Sequence, residues 1–92
     1  YEALWKNVGG IGDSWADMWN LIARTFKNKT HILGYELINE PFAGNFYHDP
    51  TMMIPLRPFS ADFKNMQPQY DKLNDAIRKE HEDALIFFSG VT

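Results

Sequence analysis

Two short apolar runs with a helical pattern between them constrain the fold of this chain more than any other feature. The first run covers residues 32–38 and the second covers residues 85–88. Between them, from Pro68 to about Glu82, apolar side chains recur three and four residues apart, which is typical of an amphipathic helix that starts at a proline. Two strands that are joined through a helix lie parallel to each other when they form a pair. We therefore expect a β–α–β unit of an α/β protein.

A second helical pattern precedes the first run. It follows Asp13 or Ser14, either of which is a suitable N-cap. Its apolar stripe consists of Trp15, Met18, Trp19, Ile22 and Phe26. We interpret Trp15 and Trp19 as core residues rather than as platforms for a sugar ring. The expected order of elements is helix, strand, long loop, helix, strand.

Alternation along the first run separates two unlike faces. One face is large and apolar (Leu33, Tyr35, Leu37), and the other is mixed (Gly34, Glu36, Ile38, Glu40). If the apolar face packs on helices, the mixed face looks into a confined, partly polar space, as inside a TIM (β/α)₈ barrel. Such a barrel needs at least about 200 residues. Since both ends interrupt a pattern, we expect residues 1–92 to be a partial domain, incomplete at both ends, with about two strands.

Composition and charge exclude several classes of protein. The chain is 45% hydrophobic and 15% aromatic, too apolar for disorder, and its net charge of −3 is spread without a basic patch for nucleic acid. Cysteine is absent, so there is no disulfide framework. The pairs His48–Asp49 and His81–Glu82 do not form a coordination sphere. We interpret them as solvated surface residues and predict no metal and no cofactor.

The first run ends at Asn39, Glu40 and Pro41, where an α/β fold presents its catalytic groups. Pro41 restricts Glu40 to an extended conformation, so a rigid backbone would aim this carboxyl group into the mouth of the barrel. The alternative for Glu40 is a buried structural carboxylate paired with an arginine. Asn39 could orient a ligand hydroxyl, or serve the backbone alone, because Asn tolerates unusual dihedral angles.

The string GYELINEP, residues 34–41, resembles glycoside hydrolase family 5. The longer strings LGYELINEPFAGNFYHDP and QPQYDKLNDAIRKEHEDALIFF resemble more narrowly its endoglycoceramidase branch. The resemblance implies a retaining enzyme that cleaves the bond between oligosaccharide and ceramide in glycosphingolipids. It also implies that the chain covers strands four and five, that Glu40 is the general acid/base, and that Asn39 hydrogen-bonds the 2-hydroxyl of the sugar.

A second carboxyl group about 5–5.5 Å from the first is required in a retaining glycosidase. Four strand residues, about 13 Å, separate Glu36 from Glu40, so Glu36 cannot serve without a bulge. We interpret Glu36 as an ion-paired structural group. Asp49 lies on a loop and nothing in the sequence fixes it. The resemblance implies that the nucleophile, a glutamate at the end of strand seven, lies outside this chain.

The segment after Pro41 runs without periodicity to about residue 66 and is rich in large apolar side chains. Connections this long are usually functional, and exposed apolar patches mark binding. Our hypothesis is a groove for ceramide, with Phe46, Tyr47, Met52 and Met53 as contacts; the alternative is that the loop packs over the barrel rim. Its apolar side chains are Phe42, Phe46, Tyr47, Met52, Met53, Ile54, Leu56, Phe59 and Phe63.

Partners and location follow from the resemblance. The expected partner is a glycosphingolipid or oligosaccharide, whose lipid would bring the protein to a membrane surface, and no protein partner is implied. The sequon Asn28-Lys29-Thr30 makes Asn28 a candidate glycosylation site and is compatible with a secreted, lysosomal or otherwise lumenal protein. Two other functions stay open: another family 5 glycosidase such as an endo-β-1,4-glucanase, and a catalytically silent barrel that binds glycolipid.

Overall fold

The computed structural model describes residues 1–53 and 59–91 of the chain. Its elements, in chain order, are helix α1 (Glu2–Trp5), a 3₁₀ turn (Val8–Gly10), helix α2 (Ile11–Phe26), strand β1 (Tyr35–Glu36), a second 3₁₀ turn (Pro50–Met53), a π-helical turn (Asp62–Met66), helix α3 (Gln67–Arg78) and strand β2 (Ile86–Phe87). The predicted order of helix, strand, long loop, helix and strand is confirmed. The loop also contains short helical turns that the sequence pattern did not predict.

Strands β1 and β2 pair in parallel, as predicted, with Tyr35 opposite Ile86 and Glu36 opposite Phe87. The Tyr35 N–H donates to the carbonyl of Leu85 over 2.9 Å, and the Leu37 N–H donates to the carbonyl of Phe87 over 3.0 Å. Both strands are shorter than the apolar runs that predicted them. Within the described residues each strand has only the other as a partner, and the pairing consists of these two hydrogen bonds and the contacts between them.

The core lies between the helices and one face of the sheet. Tyr35 and Leu37 are buried there, as predicted, whereas Leu33 is 77% exposed and does not belong to the buried face. Strand β2 was predicted to be buried on both faces, and this is wrong for the described residues: Phe87 is 46% and Phe88 is 68% exposed. No described element covers the second face of the sheet, which is therefore open.

Helix α3 meets the core with the stripe that its sequence predicts, because Tyr70, Leu73, Ala76 and Ile77 are all buried. Pro68 lies in its first turn, as expected. The helix ends at Arg78 and not at Glu82. The chain turns there, with the His81 N–H still bonded to the carbonyl of Ile77 over 2.9 Å, and this turn brings Ala84 into the core.

Helix α2 packs on the core with part of the predicted stripe, since Ile22 is partly buried there along with the two tryptophans, whereas Phe26 is 36% exposed. Ala16 and Ala23 are buried, Trp15 and Trp19 pack partly buried against the core, and Met18 is 45% exposed. Small side chains allow two helices to approach closely. The Asn20 amide accordingly reaches the carbonyl of Ala76 on α3 over 2.8 Å. The interpretation of both tryptophans as packing residues is confirmed.

The start of α2 also differs from the prediction, since the helix begins at Ile11 rather than after Asp13. Gly9 and Gly10 adopt positive φ angles of 62° and 79°, which turn the chain sharply into the helix at least three residues earlier. Asp13 therefore lies in the first turn, where a carboxylate suits the helix dipole. Hydrogen bonds from Lys72 and Asn7 lower the pKa of Asp13.

Gly34 marks the closest approach of the two strands. A Cβ atom at this position would lie 2.5 Å from the carbonyl oxygen of Leu85, which is backbone and cannot rotate away. The same oxygen accepts the ladder hydrogen bond from Tyr35. The strands can therefore pair in this register only because residue 34 has no side chain.

Candidate active site

Glu40 lies on a sharp bend four residues after the end of β1, and its side chain and that of Asn39 are exposed. Its φ angle is +45°, so the predicted extended conformation before Pro41 is wrong. The bend is needed because Pro41 is fully buried and the chain must turn inward at once to reach the core. A left-handed residue other than glycine costs about 1–3 kcal/mol and tends to occur at functional sites.

The neighbouring acids have roles other than those predicted. Glu36 is exposed, and within residues 1–53 and 59–91 it makes no ion pair, so the predicted structural pairing is not formed there. Asp49 is fixed, contrary to expectation, because the Lys64 ammonium donates to its Oδ2 over 2.6 Å and the Thr51 hydroxyl also bonds it. These bonds lower the pKa of Asp49 to about 2.

The backbone that follows Glu40 is held by three side chains from distant parts of the sequence, which we call the loop clamp (Glu2, Trp5 and Asn65). The Trp5 indole N–H donates to the carbonyl of residue 42 over 3.0 Å. The Asn65 amide donates to the carbonyl of residue 43 over 2.6 Å. The Glu2 carboxylate accepts from the N–H of residue 45 over 2.9 Å. Each contact satisfies a backbone group of a segment without regular structure.

An aromatic surface begins two residues beyond Glu40. Phe42 and Phe46 meet edge to face with ring centroids 6.1 Å apart, and Phe46 and Tyr47 lie 4.3 Å apart. Tyr1 joins the other end, 6.1 Å from Phe42. Tyr47 is 85% and Phe42 is 45% exposed. We call this set (Tyr1, Phe42, Phe46 and Tyr47) the aromatic row; it offers a continuous apolar surface beside the strand end.

The other predicted loop contacts divide between core and solvent. Met52 is half-buried and packs against the core, with its sulfur 3.5 Å from the Asn65 amide nitrogen. It therefore connects the loop to the core and is not an exposed contact for a ligand. Phe59 and Phe63 are 67% and 69% exposed. The side chain of Met53 and the whole of Ile54 and Leu56 lie outside the described residues.

The two histidine pairs behave differently from each other. His48 is exposed, as predicted. His81 is half-buried and its Nδ1 lies 3.0 Å from the hydroxyl of Tyr35, so its interpretation as a solvated surface residue is wrong. The turn after α3 places its ring against the strand, which the sequence pattern did not indicate. Across the described ranges, no three His, Cys, Asp or Glu side chains are grouped so that they could hold a metal ion.

Asn28, Lys29 and Thr30 are all exposed after the end of α2. Their accessibility is what a glycan at Asn28 requires, and its presence there stays a prediction, as does a secreted or lumenal location. None of the helices in the described part of the chain is long and apolar enough to cross a membrane.

Asn65 and Gln69, like Glu2 and Trp5, were missed by the sequence pattern; Asn65 belongs to the loop clamp, and the Gln69 amide donates to the carbonyl of Trp5 over 3.4 Å. Both are buried amides, 3% and 4% exposed, and they precede Leu73 at steps of four along one helical face. A polar amide at core positions on two successive turns is unusual, because burying it is unfavourable unless it is hydrogen-bonded. That spacing was the available signal that this face binds backbone groups of another segment.

Comparison with known proteins gives a consistent result. A family model described as Cellulase (glycosyl hydrolase family 5) matches residues 5–92. A protein from Hydra vulgaris named Endoglycoceramidase is 48% identical over 92 residues, covering 100% of this chain and 17% of its own length. One of the same name from Cyanea nozakii is 47% identical, with 100% of this chain and 18% of its own length covered.

The chain therefore spans less than a fifth of the length of these curated relatives. A search of solved structures found no significant match.

Proposed function

The chain belongs to glycosyl hydrolase family 5, and from that we propose that the full-length protein is a retaining glycosidase of the endoglycoceramidase type. Its reaction is hydrolysis of the β-glycosidic bond between the oligosaccharide and the ceramide of a glycosphingolipid. The observation that carries the proposal is the exposed carboxyl group of Glu40, held on a left-handed bend at the end of β1 beside the aromatic row.

In the proposed mechanism, Glu40 protonates the oxygen that joins sugar to lipid while a second carboxylate attacks the anomeric carbon. Glu40 then removes a proton from the water that releases the sugar. The nucleophile comes from another part of the protein. The exposed Asn39 amide, next to Glu40, hydrogen-bonds the sugar 2-hydroxyl. Strands β1 and β2 take the places of strands four and five of a TIM barrel, whose carboxyl ends form the active-site face.

The lipid part of the substrate fits the aromatic row. Its four rings form successive contacts beginning two residues after Glu40, and Tyr1, Phe42 and Tyr47 are exposed. An exposed apolar surface next to a catalytic group favours a substrate with an apolar leaving group. The relatives named Endoglycoceramidase support the same choice.

A substrate comparison tests this function. We expect the purified full-length protein to release an intact oligosaccharide from a glycosphingolipid in detergent micelles, measured by chromatography of the labelled glycan. The retained anomeric configuration is checked by proton NMR of the first product. Release of single sugars, or inversion at the anomeric carbon, would contradict the proposal.

The second candidate is an endo-β-1,4-glucanase, which the description of the matching family model favours. Cello-oligosaccharides are the discriminating substrate and are included in the same assay. Cleavage of these oligosaccharides with no action on glycolipid would replace the endoglycoceramidase proposal by the glucanase one.

Tyr47→Ser probes the apolar part of the site at small structural risk, since Tyr47 is 85% exposed. Loss of an aromatic contact with the lipid should lower kcat/KM for glycolipid by about tenfold. For a soluble aryl glycoside the change should stay within about twofold. The matched control is Leu21→Ser, on an exposed position of α2 away from the loop. Equal losses on both substrates would show that Tyr47 supports the fold instead of the lipid.

A further inference from the structure

The loop clamp binds a segment that has no regular secondary structure and that also buries Pro41 and Ala43 in the core. Its three contacts fall on residues 42, 43 and 45, immediately after the buried Pro41. Gly44, between them, has a φ angle of 117°, and a Cβ there would lie 2.9 Å from the Asn65 amide nitrogen. The segment and the clamp therefore fit each other without room for an extra methyl group.

Glu40 lies between two anchored pieces of backbone. On its N-terminal side, the Leu37 N–H is bonded to strand β2 over 3.0 Å. On its C-terminal side, the clamp begins at residue 42. The left-handed φ angle of Glu40 is an unfavourable conformation that persists only where the surroundings determine it. The bend, and with it the direction of the carboxyl group, thus depends on the anchors on both sides.

Asn65 is the most specific member of the clamp. It is 3% exposed, and its amide makes the shortest of the three contacts, 2.6 Å to the carbonyl of Ala43. It lies in the π-helical turn (Asp62–Met66). Such turns are rare and frequently occur at functional sites. A buried amide would be a poor choice for packing alone, because an apolar side chain needs no partner.

We propose that Asn65 is a positioning residue for Glu40, acting with Trp5 through the backbone of residues 41–45. The inference rests on the proposed role of Glu40 as general acid/base. Asn65 does not contact the reacting atoms in this mechanism. Asn65 holds the backbone on the C-terminal side of the bend, at Ala43, so that the carboxyl group of Glu40 stays directed at the glycosidic oxygen.

The test uses Asn65→Leu in the full-length protein, with two substrates. A poor leaving group such as ceramide needs a proton from Glu40, whereas an activated aryl leaving group departs without one. We expect kcat/KM for glycolipid to fall by about tenfold and kcat/KM for the aryl glycoside to stay within about twofold. Concentrations are corrected for active enzyme by the burst of aryl product.

A second variant, Trp5→Phe, removes the indole N–H that reaches the carbonyl of Phe42, together with part of a buried ring, and should change the ratio of the two kcat/KM values in the same direction. The matched control is Asn20→Leu, which removes another amide-to-carbonyl bond, the one to Ala76, far from the bend. It should leave the ratio unchanged. Equal losses on both substrates for Asn65→Leu and Trp5→Phe would overturn the positioning role.

The double variant with Glu40→Gln separates this inference from the proposed function. If Asn65 acts through Glu40, the Asn65 substitution should add little once Glu40 is gone, because the two residues act on the same step. A full additional tenfold loss in that background would overturn the positioning role alone. Near-normal turnover by Glu40→Gln itself would overturn both the proposed function and this inference.

Discussion

Replacement of Glu40 by Gln in the full-length protein is expected to lower the turnover of glycosphingolipid by about 10²–10⁴-fold, the usual contribution of general acid–base catalysis. The amide keeps the size of the side chain but can neither protonate the leaving oxygen nor accept a proton from water. Glu40 is exposed, so the change should not disturb the core. Initial rates of glycan release measure the effect.

Two further measurements assign the loss to proton transfer. The kcat/KM value for an aryl glycoside with an acidic leaving group should change much less than that for glycolipid, because its bond breaks without a proton. Azide, which attacks without a general base, should restore part of the release step. The matched control is Glu82→Gln, an exposed acid after α3. If Glu40→Gln turned over glycolipid at a near-normal rate, Glu40 would have no place in the mechanism.

Gly34→Ala is expected to cause the second large effect, a loss of about 1–3 kcal/mol in the free energy of unfolding, as is typical when a methyl group is forced into a closely packed site. The new methyl group would be 2.5 Å from the Leu85 carbonyl oxygen and 2.8 Å from the Phe87 ring. Relief requires the two strands to separate, which weakens the ladder bond that the same oxygen accepts from Tyr35. Denaturant-induced unfolding of the full-length protein measures the change.

Gly90→Ala is the matched control for that experiment. Its Cβ would lie 3.1 Å from Oδ1 of Asp62, which accepts a hydrogen bond from the Val91 N–H but belongs to a side chain that can shift, so the loss in the free energy of unfolding should be clearly smaller than for Gly34→Ala. Similar stabilities for Gly34→Ala and the unmodified protein would mean that the strands do not approach so closely.

The sequence alone was sufficient for the order of elements and for the parallel pairing of β1 with β2. Both follow from local periodicity and from the geometry of a β–α–β connection. The apolar part of the buried stripe of α3 was predicted correctly, because a helix with a clear apolar face turns that face toward the core. The family resemblance that named Asn39 and Glu40 agrees with the family model that matches residues 5–92.

The errors share one cause, which is that tertiary contacts decide local geometry. The rule that a residue before proline is extended failed at Glu40 because the burial of Pro41 required a sharp turn. His81 was assigned to the surface because nothing in its neighbourhood along the chain indicates the Tyr35 hydroxyl, 46 residues away. The clamp residues were missed for the same reason, since Asn65 and Ala43 are 22 residues apart.

The loop clamp also attaches the backbone that follows Glu40 to the helices. Its side chains come from α1 and from the turn leading into α3, so the backbone after Glu40 is bonded to the helical layer and not to the neighbouring strands. The direction of the carboxyl group therefore depends on how the sheet, which holds Leu37, and the helices, which hold residues 42–45, lie relative to each other.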